Sequence, residues 1–249
     1  MKMDSATVVY NNKQITQGIT DVWVQTNTSN LGAYELPANF PVVQASPVTF
    51  LVSAGIWQSG QSTVRVIYPF YDVDTFTINA TPGAKYTHHP KFTYLPAALF
   101  TFPVEDFEFN DDYDSIMVKI SNAADSLNII YYGSYCGRIT TTLTDTDRIS
   151  IQKNAYSLPA GQEVWLEMDY KCDVPFWVGL IGNFNGANST TMQVLFVLPK
   201  PYWNKEYIKL SSLVGNIRAD SYQLYFEALT PTGGTAGSVY LDNIKIVHF

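Results

Sequence analysis

Charge is scarce in this chain. Of 249 residues only 15% are Asp, Glu, Lys or Arg, and the 22 acids outnumber the 15 bases for a net charge of −7. Nucleic-acid binding needs a basic face that releases counterions, so that class of partner is excluded. Cysteine is scarcer still: Cys136 and Cys172 alone are too few for a disulfide scaffold or a zinc site. They read either as two small buried thiols or as one bridge within a single sandwich. Histidine offers the adjacent pair His88 and His89 and a distant His248. Neighbouring strand residues point to opposite faces, so the pair does not share one metal ion and reads as a partly exposed loop. No run approaches the roughly 18 apolar residues of a membrane span, and Met1 to Ser5 holds no apolar signal core. Because Met1-Lys2-Met3-Asp4 leads almost at once into the strand-like Ala6 to Tyr10, an export signal is expected to have been trimmed ahead of it. A Gly-x-Ser-x-Gly elbow is missing, and Thr232-Gly233-Gly234-Thr235-Ala236-Gly237 joins two strand patterns as a hairpin loop, with no helix for a phosphate cradle. No catalytic residues are assigned.

What the chain does have is aromatic and β-branched. Its 17 Tyr and 14 Phe, with recurrent Thr, Val and Ile, are what half-buried pleated strands select. The first hundred residues alternate in short stretches, at Thr7–Tyr10, Asp21–Thr26, Val48–Ser53, Thr63–Tyr68 and Asp74–Ala80, with Asn11-Asn12 and Pro82-Gly83 as turns. They predict a small immunoglobulin-like sandwich. The pattern breaks between Pro90 and Phe102, and a packed junction is placed near Phe102, before the acidic Glu105-Asp106-Phe107-Glu108. Further strands are predicted at Met117–Ile120, Ile129–Tyr132, Gly137–Leu143, Val164–Tyr170, Trp177–Ile181, Met192–Val197, Lys205–Leu210, Tyr222–Ala228 and Val239–Val247. Such a series suits the two facing sheets of a jelly roll. In Trp165 to Tyr170, alternation sets Leu166, Met168 and Tyr170 on one face and Trp165, Glu167 and Asp169 on the other. The expectation is all-β, two tandem β-sandwich domains over 1–102 and 103–249, with almost no helix.

The opening Val104-Glu105-Asp106-Phe107-Glu108, the late Tyr222-Gln223-Leu224-Tyr225-Phe226-Glu227-Ala228 and the closing Val239-Tyr240-Leu241-Asp242-Asn243-Ile244-Lys245-Ile246 resemble the jelly roll shared by many carbohydrate-binding modules. That resemblance, over roughly residues 103–249, implies an acidic entry segment lying beside the final Asp-Asn strand. It also implies a structural calcium tying the two together, with Glu108 and Asp242 as ligands. The same roll serves as spacer, protein-docking unit and glycan binder. The first domain, through Asn30 to Val42 and Tyr68-Pro69-Phe70-Tyr71, resembles sandwiches near the start of exported Bacteroidota lipoproteins. This implies a lipid anchor on a cysteine removed from the sequence, and display on the outer membrane or cell surface.

Residues alone leave the carboxylates open. Glu105, Asp106, Glu108, Asp111, Asp112, Asp114 and Asp242 form the densest acidic set, readable as a calcium site or as a solvated hairpin with Asp242 bonded to backbone. A glycosidase pair would need a cleft that nothing in the pattern predicts. The remaining candidates are aromatics, since a sugar ring packs on Trp or Tyr while Asn, Gln or Asp bond its hydroxyls. Trp165, Trp177, Tyr202, Trp203 and Tyr207 are the ligand-binding candidates, with the Tyr202-Trp203 pair expected in a loop. The functional expectation is a non-catalytic surface protein that docks other envelope proteins, with glycan recognition as the alternative and glycan hydrolysis as a third reading. A contiguous row of exposed Trp and Tyr beside Asn or Gln would favour sugar.

Overall fold

The structure, a computed structural model, describes residues 1–43, 46–100, 105–109, 112–121, 133–185 and 188–249. The chain divides into two compact units, Met1–Ala98 and Leu99–Phe249; the boundary expected at Phe102 and the strand expected at Ile129–Tyr132 lie outside the described residues.

The first unit is built of short strands, β1 (Lys2–Met3), β2 (Thr7–Tyr10), β3 (Lys13–Ile15), β4 (Ile19–Thr26), β5 (Asn30–Glu35), β6 (Ala38–Asn39), β7 (Val48–Trp57), β8 (Arg65–Ile67), β9 (Asp74–Ile78), β10 (Thr87–His88) and β11 (Lys91–Thr93). β7 is the hub. It pairs β4 along one edge and, on the other, β9 through Val48–Val52 and β8 through Gly55–Trp57. Its alternation Val48, Phe50, Val52, Ala54 is buried throughout, as period-2 patterning requires of a strand with one core face. Two three-stranded sheets complete the unit, each containing a parallel pair, β1 with β10 and β2 with β11. His88 therefore lies in a strand and not in the loop read from the sequence; its Nε2 is 2.6 Å from Asp74 Oδ2 and its ring stacks on Phe76.

The second unit adds β12 (Val118–Ser121), β13 (Tyr135–Thr140), β14 (Asp147–Ile151), β15 (Val164–Cys172), β16 (Phe176–Asn183), β17 (Thr190–Val197), β18 (Lys200–Lys209), α1 (Ser211–Ile217), β19 (Ser221–Leu229) and β20 (Ser238–His248). A five-stranded sheet runs β12-β13-β20-β15-β18 and a four-stranded sheet runs β14-β19-β16-β17. From β13 onward the chain changes sheet at every connection except β16 to β17, which makes the unit an all-β jelly roll. Leu166, Met168 and Tyr170 from one sheet meet Phe176, Val178, Leu180, Leu224 and Phe226 from the other in a single core. The expected acidic entry does lie beside the last strand: Glu105 and Ile244 exchange both backbone hydrogen bonds, at 2.8 and 3.0 Å. Cys136 and Cys172 are buried thiols, and burial pushes the Cys172 thiol up to about 11. The seven-residue α1 is the α-helix among the described residues. Its Ser-Ser-Leu-Val-Gly-Asn-Ile is poor in helix formers and too short to show a period; Leu213, Val214 and Ile217 hold it on the core.

Candidate functional site

The outward faces of the two sheets differ. On the five-stranded sheet the outward side chains Trp165, Glu167, Asp169, Tyr207, Tyr240, Asp242 and Lys245 are at most 7% exposed. Buried ions are matched there: Lys205 Nζ lies 3.5 Å from Glu167 Oε2, and Lys245 Nζ lies 3.4 Å from the same oxygen. Trp165 donates its indole N–H to Glu163 at 2.7 Å. Trp165 and Tyr207, offered by the sequence as ligand surfaces, are thus enclosed side chains. Their alternation was read correctly, but an outward face in a sandwich is open only if nothing covers it.

The four-stranded sheet has an open outward face, and strand register assembles it in rows. Ile149, Glu227, Trp177 and Phe196 stand abreast in one row across the sheet, and Ile151, Tyr225, Gly179 and Gln193 in the next. A third row carries Gln223, Ile181 and Thr191. A bulge in β17 between the partners of Val178 and Gly179 keeps Gln193 and Phe196 both outward. Together Ile149, Ile151, Ile181, Thr191, Gln193, Tyr225 and Glu227 line a depression of about 340 Å³ that crosses all four strands.

Each part has a local cause. Gly179 lies beneath Tyr225: a Cβ there would stand 2.1 Å from the Tyr225 ring. A strand glycine of this kind marks a close approach. Tyr225 consequently lies low, 2% exposed yet outside the core between the sheets, as a floor. Burial, and secondarily the charge of Glu227, hold its phenol above the ordinary tyrosine value. Trp177 and Phe196 pack ring to ring at 4.7 Å and form a half-exposed aromatic shelf. Gln193 Nε2 donates to Glu227 Oε2 at 3.4 Å. Asn183 Nδ2 donates to Gln223 Oε1 at 3.1 Å, and Gln223 Nε2 in turn donates to the Gln152 carbonyl at 2.6 Å. The result is a shallow groove with an aromatic and aliphatic floor and orienting polar groups on it, the general make-up of a small-ligand site.

Of the five sequence candidates, Trp177 alone stands on this face, in the row of Glu227 at the edge of the groove. Tyr202 and Trp203 are consecutive residues of β18, not of a loop, and so face opposite ways: Tyr202 is 64% exposed, while Trp203 packs on Ile120, Cys136 and Tyr240. Tyr225, Phe196, Gln193 and Glu227 were missed. The signal for Tyr225 and Glu227 was present in β19, where Gln223, Tyr225 and Glu227 alternate with Leu224 and Phe226. A larger depression of about 440 Å³ in the first unit is lined by residues such as Val43, Pro82 and Ala84. Its Tyr86 hydroxyl is already bonded to Thr81 and Asn79.

Glu108 and Asp242, the expected calcium ligands, are differently placed. Glu108 Oε1 accepts the backbone amides of Ser134 and of Tyr135, the latter at 3.0 Å. Asp242 is 1% exposed; its Oδ1 accepts the Asn243 amide at 2.7 Å, and its Oδ2 has no hydrogen-bond partner. Burial raises this carboxyl to about 9, helped by the charges of Asp169 and Asp106. That orphaned oxygen is a hard donor of the kind a calcium ion takes. Among the described residues no three His, Cys, Asp or Glu side chains form a metal-holding group. No helix among them is long and apolar enough to cross a membrane.

No protein-family model matches this sequence, and no curated protein does. Solved structures resemble it at low identity. A family 61 carbohydrate-binding module in complex with β-1,4-galactotriose is 11% identical, over 59% of this chain and 97% of that one, with a TM-score of 0.40. The family 11 module from Clostridium thermocellum in complex with a β-1,3-1,4-mixed-linked tetrasaccharide is 17% identical, over 57% and 92%, with a TM-score of 0.37. The enzymatically active domain of tailspike protein 4 of bacteriophage CBA120 is 8% identical, over 62% of this chain but only 22% of its own, with a TM-score of 0.43.

Proposed function

We propose that this chain is a non-catalytic binding protein that recognises a glycan on the outward face of the β14-β19-β16-β17 sheet. One observation carries the reading: register sets the aromatic pair Trp177 and Phe196 in the row beside Tyr225 and Gln193, next to an open groove across four strands lined by Tyr225, Gln193, Glu227 and Thr191. A pyranose has apolar faces and a hydroxyl rim. It needs an aromatic shelf with amides or carboxylates within reach, and gains little from a dry apolar pocket. Affinity electrophoresis through gels holding soluble plant, algal and bacterial polysaccharides tests this. Retardation by at least one polysaccharide, lost about tenfold or more in Trp177→Ala, which is ~1.4 kcal/mol, supports it. No retardation by any, with the protein folded, overturns it.

Docking of another envelope protein is the second reading. It is favoured by the exposed apolar residues Phe196, Leu198 and Tyr202 around the β17–β18 turn, although scattered surface apolars are common. Display on an outer membrane through a lipid anchor is supported by the sequence resemblance of the first domain, and fractionation of cells that express the native gene tests it.

A further inference from the structure

Taking the groove as a glycan site, we infer that Glu227 is its specificity-determining group and restricts it to sugar chains without negative charge. Glu227 stands in the row between Ile149 and Trp177, so a ligand stacked on the Trp177 shelf passes directly over or beside the carboxylate. Its Oε2 receives a single long contact, 3.4 Å from Gln193 Nε2, which leaves acceptor capacity for the ligand. An ionised carboxylate only accepts hydrogen bonds. The group opposite must therefore donate, as a sugar hydroxyl does and the carboxylate of a uronic acid or a sulfate ester does not.

Among the described residues, no cation stands in these rows. The outward positions of β14, β19, β16 and β17 include a second acid, Asp147, and no Lys or Arg. The nearby Arg148 is engaged by Asp145 at 2.8 Å, and the chain as a whole carries −7. The field of Glu227 also reaches the groove floor, since it helps to raise the Tyr225 phenol. A uronate laid beside Glu227 would meet like charge, and a carboxylate offers it no hydrogen to replace its lost water, whereas a neutral pyranose would exchange hydroxyl–water bonds for hydroxyl–carboxylate ones.

The test uses the full chain in affinity electrophoresis and titration calorimetry against neutral galactan, mixed-linkage glucan and galactomannan, and against polygalacturonate and alginate. The parent should bind at least one neutral polymer at least tenfold more tightly than either acidic one. Glu227→Gln, isosteric and uncharged, should narrow that ratio at least threefold, and Glu227→Lys should favour the acidic polymers. Acidic-polymer binding by the parent should strengthen as salt rises from roughly 0.01 to 0.15 M, where the screening length falls from about 30 to about 8 Å. Parent binding to polygalacturonate or alginate as tight as to the neutral polymers would overturn the charge assignment while leaving the glycan site standing. So would an unchanged ratio in both variants, each with a parental melting temperature. Failure to bind any polymer of either kind would overturn both.

Discussion

At the scale of single residues, burial and register decide which side chains are available. Trp165 and Trp177 both stand outward on central strands, but one is enclosed and hydrogen-bonded to Glu163 while the other forms a shelf beside Phe196. Nothing in the local sequence separates them, because cover is a property of the fold. Asp242 illustrates the same point in electrostatic form. Its carboxyl, raised from 3.8 to about 9 by burial and by the charges of Asp169 and Asp106, holds its proton more strongly folded than unfolded. The stability tied to that proton is therefore complete below about pH 4 and is lost as pH rises toward 9. Asp242→Asn should raise the melting temperature by several degrees at pH 8 in chelator, with the gain vanishing near pH 4. The calcium proposal gives the opposite sign in calcium: the parent should then be stabilised, by about 2.7 kcal/mol at a hundredfold excess over Kd, and Asp242→Asn should not. Thermal scans in chelator, calcium and magnesium check both. A parent midpoint equal in all three removes the calcium proposal, and an Asn variant less stable than the parent in chelator contradicts the pKa argument.

At the scale of elements, Gly179 is the point on which β16 and β19 fit together at the groove. A methyl group there would collide with the Tyr225 ring at 2.1 Å. Gly179→Ala should cost about 1–3 kcal/mol, read as a melting temperature lower by roughly 2–4 °C per kcal/mol. It should also weaken polysaccharide binding, because Tyr225 must leave the floor; a variant as stable and as adherent as the parent would contradict the packing. Most strands were legible because their periodicity is strong, as in Val48 to Ala54 and Trp165 to Tyr170. β14 was not. Its buried Ser150 bonds Asp114 at 2.9 Å while Ile149 is 43% exposed, so the usual apolar-in, polar-out code is inverted along Asp147 to Ile151. Under the proposed glycan reading this inversion serves the site, since those isoleucines line the groove. Helix α1 went unread for a different reason, its stability coming from packing on the core more than from propensity.

At the scale of the molecule, an acidic, aromatic-rich chain of two β units has one outward sheet face closed and another open, and the open one carries a groove with aromatic and polar lining. The central claim is that ligand sits on the β14-β19-β16-β17 face. Indole N–H signals report on this directly, because the five tryptophans sample different places. The N–H of Trp23 is held by Asp21 at 2.8 Å and that of Trp165 by Glu163, whereas Trp177 lies on the shelf. In a nitrogen–proton correlation spectrum titrated with oligosaccharides cut from whichever polysaccharide retards the protein, the account predicts a saturable shift of the Trp177 indole, with Trp23 and Trp165 unmoved. Saturable binding that shifts another indole and leaves Trp177 in place would contradict it.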